Sequence, residues 1–148
     1  MIKIICIGKI KEKFFKDAIE EYKKRISKYT KLEVIELDDI SNDSTLKKER
    51  DLILNKLNEK DYIITLEIEG NEIDSIELSN KIDNILINYP NITFIIGGSN
   101  GLHEDIKNKS NYKLSFSKMT FPHQLFRIML LEQIYRSFKI LNNETYHK

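Results

Sequence analysis

Short, β-branched apolar runs alternate along this 148-residue chain with segments whose apolar residues recur at helical spacing, and that alternation restricts the fold more than any other feature. Residues 2–7, 32–37, 62–68, 92–96 and 112–116 read as strands. Phe15, Ile19, Tyr22 and Ile26 share one face of a helix; Leu46, Ile53 and Leu57, then Leu78, Ile82, Ile85 and Leu86, repeat the pattern. Pro90 ends the third helix just before the fourth strand. A last helix is predicted over about 124–141, with Leu125, Ile128, Leu131, Tyr135 and Phe138 as one apolar stripe. Strands separated by helices need crossover connections, which give parallel pairing with both sheet faces covered. The expected fold is α/β: a mostly parallel sheet of five to six strands with helices on both faces. No repeat, linker or low-complexity tract interrupts residues 1–148, so a single domain is expected.

Hydrophobic residues at 41% and charged residues at 32% fit one packed core better than two small ones or a disordered segment. The apolar run over residues 1–8 is interrupted by Lys3, falls far short of the roughly 20 residues of a bilayer span, and lacks a small-residue cleavage site. It reads as a buried first strand of a protein that stays in the cytoplasm, with no membrane partner. Cys6, the sole cysteine, lies in that strand; it excludes an internal disulfide, a CxxC pair and a cysteine-built zinc site, and reads as a buried, inert thiol. The net charge of +1 is unevenly spread. Residues 107–148 carry eight Lys and Arg against two acids, Glu132 and Glu144, a net of +6, and the preceding 106 residues carry sixteen against twenty-one, a net of −5. The C-terminal third is either a polyanion-binding surface or a solvated lysine-rich face.

Four features of that third can carry chemistry. Ile95-Ile-Gly-Gly-Ser-Asn-Gly-Leu102 is a strand opening into a glycine-rich turn, where backbone can approach a ligand closely at the carboxyl edge of a parallel sheet; a plain tight turn fits equally. In Ser115-Phe-Ser-Lys-Met-Thr-Phe-Pro-His123, hydroxyls of Ser115, Ser117 and Thr120 can bond a polar ligand while Met119 and Phe121 pack its apolar parts, or the segment is an ordinary β-α connection. His123 follows Pro122 at the start of the last helix, and Arg127 stands four residues on along the same face; the pair can hold phosphate, and a neutral imidazole there can accept a proton. Tyr146-His147-Lys148 offers a ring, an imidazole and a cation suited to a nucleic-acid base and its phosphate, or it is a frayed end.

Taken in order, these motifs, with Ile4-Ile-Cys-Ile-Gly-Lys9, Thr65-Leu-Glu-Ile-Glu-Gly70 and Glu132-Gln-Ile-Tyr-Arg136, resemble the SPOUT-class 23S ribosomal RNA methyltransferases of the large subunit methyltransferase H family along essentially the whole chain. The resemblance implies a C-terminal trefoil knot, a homodimer, and S-adenosyl-L-methionine held in a bent form by the knot loops. It implies cofactor contacts at Leu66, Gly97, Phe116, Ser117, Lys118, Met119, Thr120 and Phe121. On the target side it implies His123, Arg127, Arg136, Tyr146 and His147. The implied target is N3 of the pseudouridine at position 1915, in the helix 69 loop of 23S ribosomal RNA, within the large subunit or the 70S ribosome. Some relatives end in Tyr-His-Arg, whereas this chain ends in Lys148, which lacks the planar fork of arginine.

The expected reaction is in-line methyl transfer without a metal or a covalent enzyme intermediate, so alignment and one general base carry most of the rate. His147 is the first candidate for that base and His123 the second; Tyr146 stacks on or positions the target base, and Arg127, Arg136 and Lys148 bind phosphates. One small domain offers little room for RNA, so the groove is expected between subunits, with one protomer's tail reaching its partner's cofactor. Two other classes compete. A non-catalytic RNA-binding module shares the basic third but has no use for a cofactor loop. A dinucleotide-binding oxidoreductase shares the sheet and glycines but needs a G-x-G-x-x-G after the first strand, where only Gly8 stands.

Overall fold

All six residues of β1 (Ile2–Ile7) are buried, as required of a strand whose sheet is covered on both faces. A computed structural model describes residues 1–39 and 45–148. After β1 come α1 (Lys13–Ile26), β2 (Leu32–Leu37), α2 (Thr45–Leu54), β3 (Asp61–Glu72), α3 (Ser75–Asn88), β4 (Asn91–Ile96), α4 (Glu104–Lys109), β5 (Tyr112–Ser115) and α5 (His123–Leu141). The strands form one five-stranded sheet in the order β2-β1-β4-β3-β5, with every ladder parallel. Side chains alternate across it: Ile2, Ile4 and Cys6 join a core under α1, α3 and α5, while Ile5 and Ile7 join one that holds Ile53 of α2 and Ile106 of α4. The Cys6 thiol is buried beside the Ile35 carbonyl at 3.4 Å, and burial pushes it up to about 12, so it is inert at neutral pH.

Four details depart from the sequence reading. The strand read as residues 62–68 runs on to Glu72 because it slips register against β5 between Leu66 and Asn71. Gly70 makes the passage possible, since a Cβ there would stand 2.8 Å from the Lys113 carbonyl carbon and oxygen. The six-residue α4 is too short to show a period; the His103 ring caps it, with Nδ1 accepting from the Asp105 amide at 3.0 Å. Leu57 lies beyond α2, in the turn that follows it. In α5 the buried face is Arg127, Leu130, Leu131, Ile134, Tyr135, Ser137 and Phe138, whereas Leu125 is 38% exposed. The first inward position of the helix, at Arg127, goes to a cation, which hydropathy assigns to the outside. Among the described residues no helix is long and apolar enough to cross a membrane.

Candidate active site

Parallel strands end together, and where β3, β4 and β5 end a cavity of about 740 Å³ opens, within the usual range for small-molecule sites. One wall is the turn after β4. A Cβ on Gly97 would lie 2.5 Å from the Gly101 carbonyl oxygen, so only glycine allows the turn to fold back this tightly. Gly101, at φ +76°, closes the turn by donating its amide to the Gly98 carbonyl at 3.1 Å. The opposite wall is the loop between β5 and α5. The Ser115 hydroxyl lies 2.9 Å from the Ile68 carbonyl and 3.1 Å from that of Ser117, and the Ser117 hydroxyl accepts from the Met119 amide at 3.0 Å. The Phe116 and Phe121 rings pack on Phe126 of α5 at 4.9 and 6.0 Å. The loop is therefore pinned at both ends, and its middle faces the cavity.

Of the residues assigned to the cofactor, Leu66, Gly97, Phe116, Ser117, Met119, Thr120 and Phe121 line this cavity, and His123 stands at its edge. Lys118 is exposed and does not line it. The sequence reading missed Glu67 and Glu69, which also line it. Glu67 is half-buried, accepts the Thr65 hydroxyl at 2.7 Å and lies 4.0 Å from Lys107. Its signal was available: two carboxylates in Leu66-Glu-Ile-Glu-Gly70, on a strand that reaches the carboxyl edge of the sheet, put negative charge where a cationic ligand can be met.

Arg127 is not a surface phosphate ligand in this protomer. It is 1% exposed, its Nη1 donates to Glu36 at 2.8 Å, and its Nη2 donates to the Gly8 carbonyl at 3.1 Å and approaches that of Ile7 at 3.4 Å. Glu36 in turn accepts the Ile10 amide at 2.8 Å. The guanidinium thus ties the start of the second turn of α5 to the ends of β1 and β2.

The remaining target-side residues gather at the other end of α5. The chain reverses at Asn143, a non-glycine residue at φ 54°, and Tyr146 packs edge-on against Tyr135 at 5.1 Å. The Tyr146 hydroxyl donates to the Glu132 carboxylate at 3.0 Å, Arg136 lies 4.7 Å over the Tyr146 ring, and Arg136 Nη1 lies 3.1 Å from His147 Nδ1. Arginine can only donate, so His147 Nδ1 accepts and the ring carries its proton on Nε2. Lys148 is exposed. From His123 to Arg136 the helix rises about 20 Å, so one protomer does not bring the cavity and the tail cluster together.

Over residues 1–147 the chain matches the family model described as predicted SPOUT methyltransferase. The ribosomal RNA large subunit methyltransferase H of Clostridium tetani is 52% identical, with 99% of each chain aligned. The methyltransferase H 1 of Clostridium perfringens strain SM101 is 50% identical over the same shares. The chain belongs to the ribosomal RNA large subunit methyltransferase H family. The fold of this family member is also that of the tRNA (m1G37) methyltransferase of Aquifex aeolicus, with a TM-score of 0.53 and 15% identity over 91% of this chain and 69% of that one. Family membership and cavity meet in one place, because the segment with the densest motif resemblance, from Leu114 to Gln124, supplies most of the wall between β5 and α5.

Proposed function

We propose that this chain transfers a methyl group to N3 of the pseudouridine at position 1915, in the helix 69 loop of 23S ribosomal RNA on the assembled ribosome. The observation that carries the reading is identity of about half, end to end, with proteins named as ribosomal RNA large subunit methyltransferases H. S-adenosyl-L-methionine, the methyl donor of SPOUT methyltransferases, supplies a methyl group on a sulfonium centre. The residues present fit it. The cavity has the size, the tight Gly97–Gly101 turn forms part of its wall, and Leu66, Phe116 and Phe121 offer apolar surface. Glu67 and Glu69 set negative charge beside a ligand that carries positive charge on sulfur and on its amino group.

Methylation at N3 requires the proton on that nitrogen to leave, and an imidazole is the suitable acceptor near neutral pH. His123, which lines the cavity, takes that role: the one lone pair of His147, on Nδ1, is engaged by Arg136, so His147 meets the target base as an Nε2–H donor. Tyr146 positions the base, and Arg136 and Lys148 meet phosphate. The separation of the two groups along α5 favours a homodimer in which the tail of one protomer completes the cavity of the other, and we assign to the C-terminal segment the trefoil knot expected of the family. The test is transfer of labelled methyl from S-adenosylmethionine to ribosomes from cells lacking this protein. Incorporation is expected for the wild type, and none for His147→Ala, whose cofactor affinity by calorimetry stays unchanged. Absence of binding to both S-adenosylmethionine and S-adenosylhomocysteine would contradict the reading and favour a non-catalytic RNA-binding module.

A further inference from the structure

Residues 107–148 form the basic third of the chain, and a surface that gathers phosphate has no use for carboxylates. Yet it holds two, Glu132 and Glu144, and both grip the C-terminal tail. Glu144 accepts from Lys139 at 2.7 Å and from the Tyr29 hydroxyl at 2.8 Å, which fastens the reversal after α5 to the turn that follows α1. Glu132 does more. Its Oε1 accepts from Arg136 Nε at 3.0 Å and Nη2 at 2.9 Å, which leaves Nη1 directed at His147. Both its oxygens accept from the Tyr146 hydroxyl, at 3.2 and 3.0 Å. Burial raises the Tyr146 hydroxyl, and the Glu132 carboxylate raises it further; Tyr22 is pushed up to about 12 by the same two causes in the same order. Both phenols therefore stay protonated donors at neutral pH. The carboxylate is four-fifths buried, so its bonds are not diluted by water as those of an exposed pair are.

We propose that Glu132 is the positioning residue of the tail: by holding Arg136 and Tyr146 together it makes Arg136 present Nη1 to His147 Nδ1, and so sets the tautomer and aim of that imidazole. The assignment rests on the reading of His147 as a group of the reaction, one that meets the target base as a donor through Nε2–H. Glu132 itself touches neither substrate nor cofactor; it acts through Arg136, as a carboxylate that orients a ligand-bearing group does elsewhere. A neutral glutamine in its place keeps the shape but can no longer hold the guanidinium by charge.

The test uses Glu132→Gln in the full-length protein, with nitrogen NMR of the His147 ring and steady-state kinetics on ribosomes lacking the modification. In the wild type His147 is expected as a single Nε2–H tautomer. In the variant both tautomers are expected, kcat falls about 10- to 100-fold through lost alignment of the target nucleobase by the Nε2–H donor, and the KM for ribosomes stays within about threefold because uniform binding is untouched. Arg136→Lys, whose single ammonium cannot bridge Glu132 and His147, is a second variant and is expected to mix the tautomers in the same way. An unchanged tautomer in both variants, or unchanged kcat in Glu132→Gln, overturns the proposal. A wild-type protein that methylates no ribosomal RNA overturns instead the functional reading beneath it, and the tautomer comparison still decides whether Glu132 orients the ring.

Discussion

Gly97 shows how a single residue decides what the cavity can be. A methyl group at that position would collide with the Gly101 carbonyl, which is backbone and can move only with the whole turn. Gly97→Ala is therefore expected to weaken S-adenosylmethionine binding at least tenfold and to destabilise the fold by about 2 kcal/mol, read by calorimetry and by the urea midpoint. Wild-type affinity in this variant would remove the turn from the site. This glycine was legible in the sequence because the chemistry of glycine is local. Arg127 was not. Its partners Glu36, Ile7 and Gly8 lie 91 to 120 residues away, and a cation four residues after a histidine looks the same whether it points to solvent or to the core. The grip of Glu132 on Tyr146 was not legible either, since it depends on the chain reversal after α5.

At the scale of elements, the amino ends of β1, β3 and β4 meet at Asp61. Its carboxylate accepts from Lys3 at 3.2 Å, from the Asn58 amide at 3.0 Å and from Asn91 at 3.0 Å. Burial, the largest influence, pushes the Asp61 carboxyl up, but the three hydrogen bonds and the Lys3 charge together outweigh it and hold it below the ordinary 3.8. A carboxyl lowered by folding stabilises the fold fully above its unfolded value, and that contribution disappears as pH falls through the folded one. The gap in urea midpoint between the wild type and Asp61→Asn is therefore expected to be wide at pH 6 and to narrow towards pH 3. A constant gap would contradict the account. The strands themselves were readable because a parallel strand buried on both faces is a continuous apolar run. The extension of β3 past Gly70 was not readable, since it depends on register against β5, and neither was α4, which is under two turns long.

For the whole molecule, the distance along α5 between His123 and the tail cluster is the fact that any account must meet. If the tail of one protomer serves the cavity of the other, co-expressing His147→Ala with a chain disabled at Gly97 creates mixed dimers that contain one intact site each. About a quarter of wild-type activity is then expected from random pairing, although neither variant is active alone. Activity no greater than the sum of the two separate variants would place tail and cavity action within one chain. Substrate identity lies beneath all of this, and it is tested most directly by mass mapping of 23S ribosomal RNA from cells with and without the protein. Loss of one methyl group from the helix 69 pseudouridine, restored by the wild-type chain and not by His147→Ala, is the predicted result; a helix 69 methyl group that persists without the protein would contradict it.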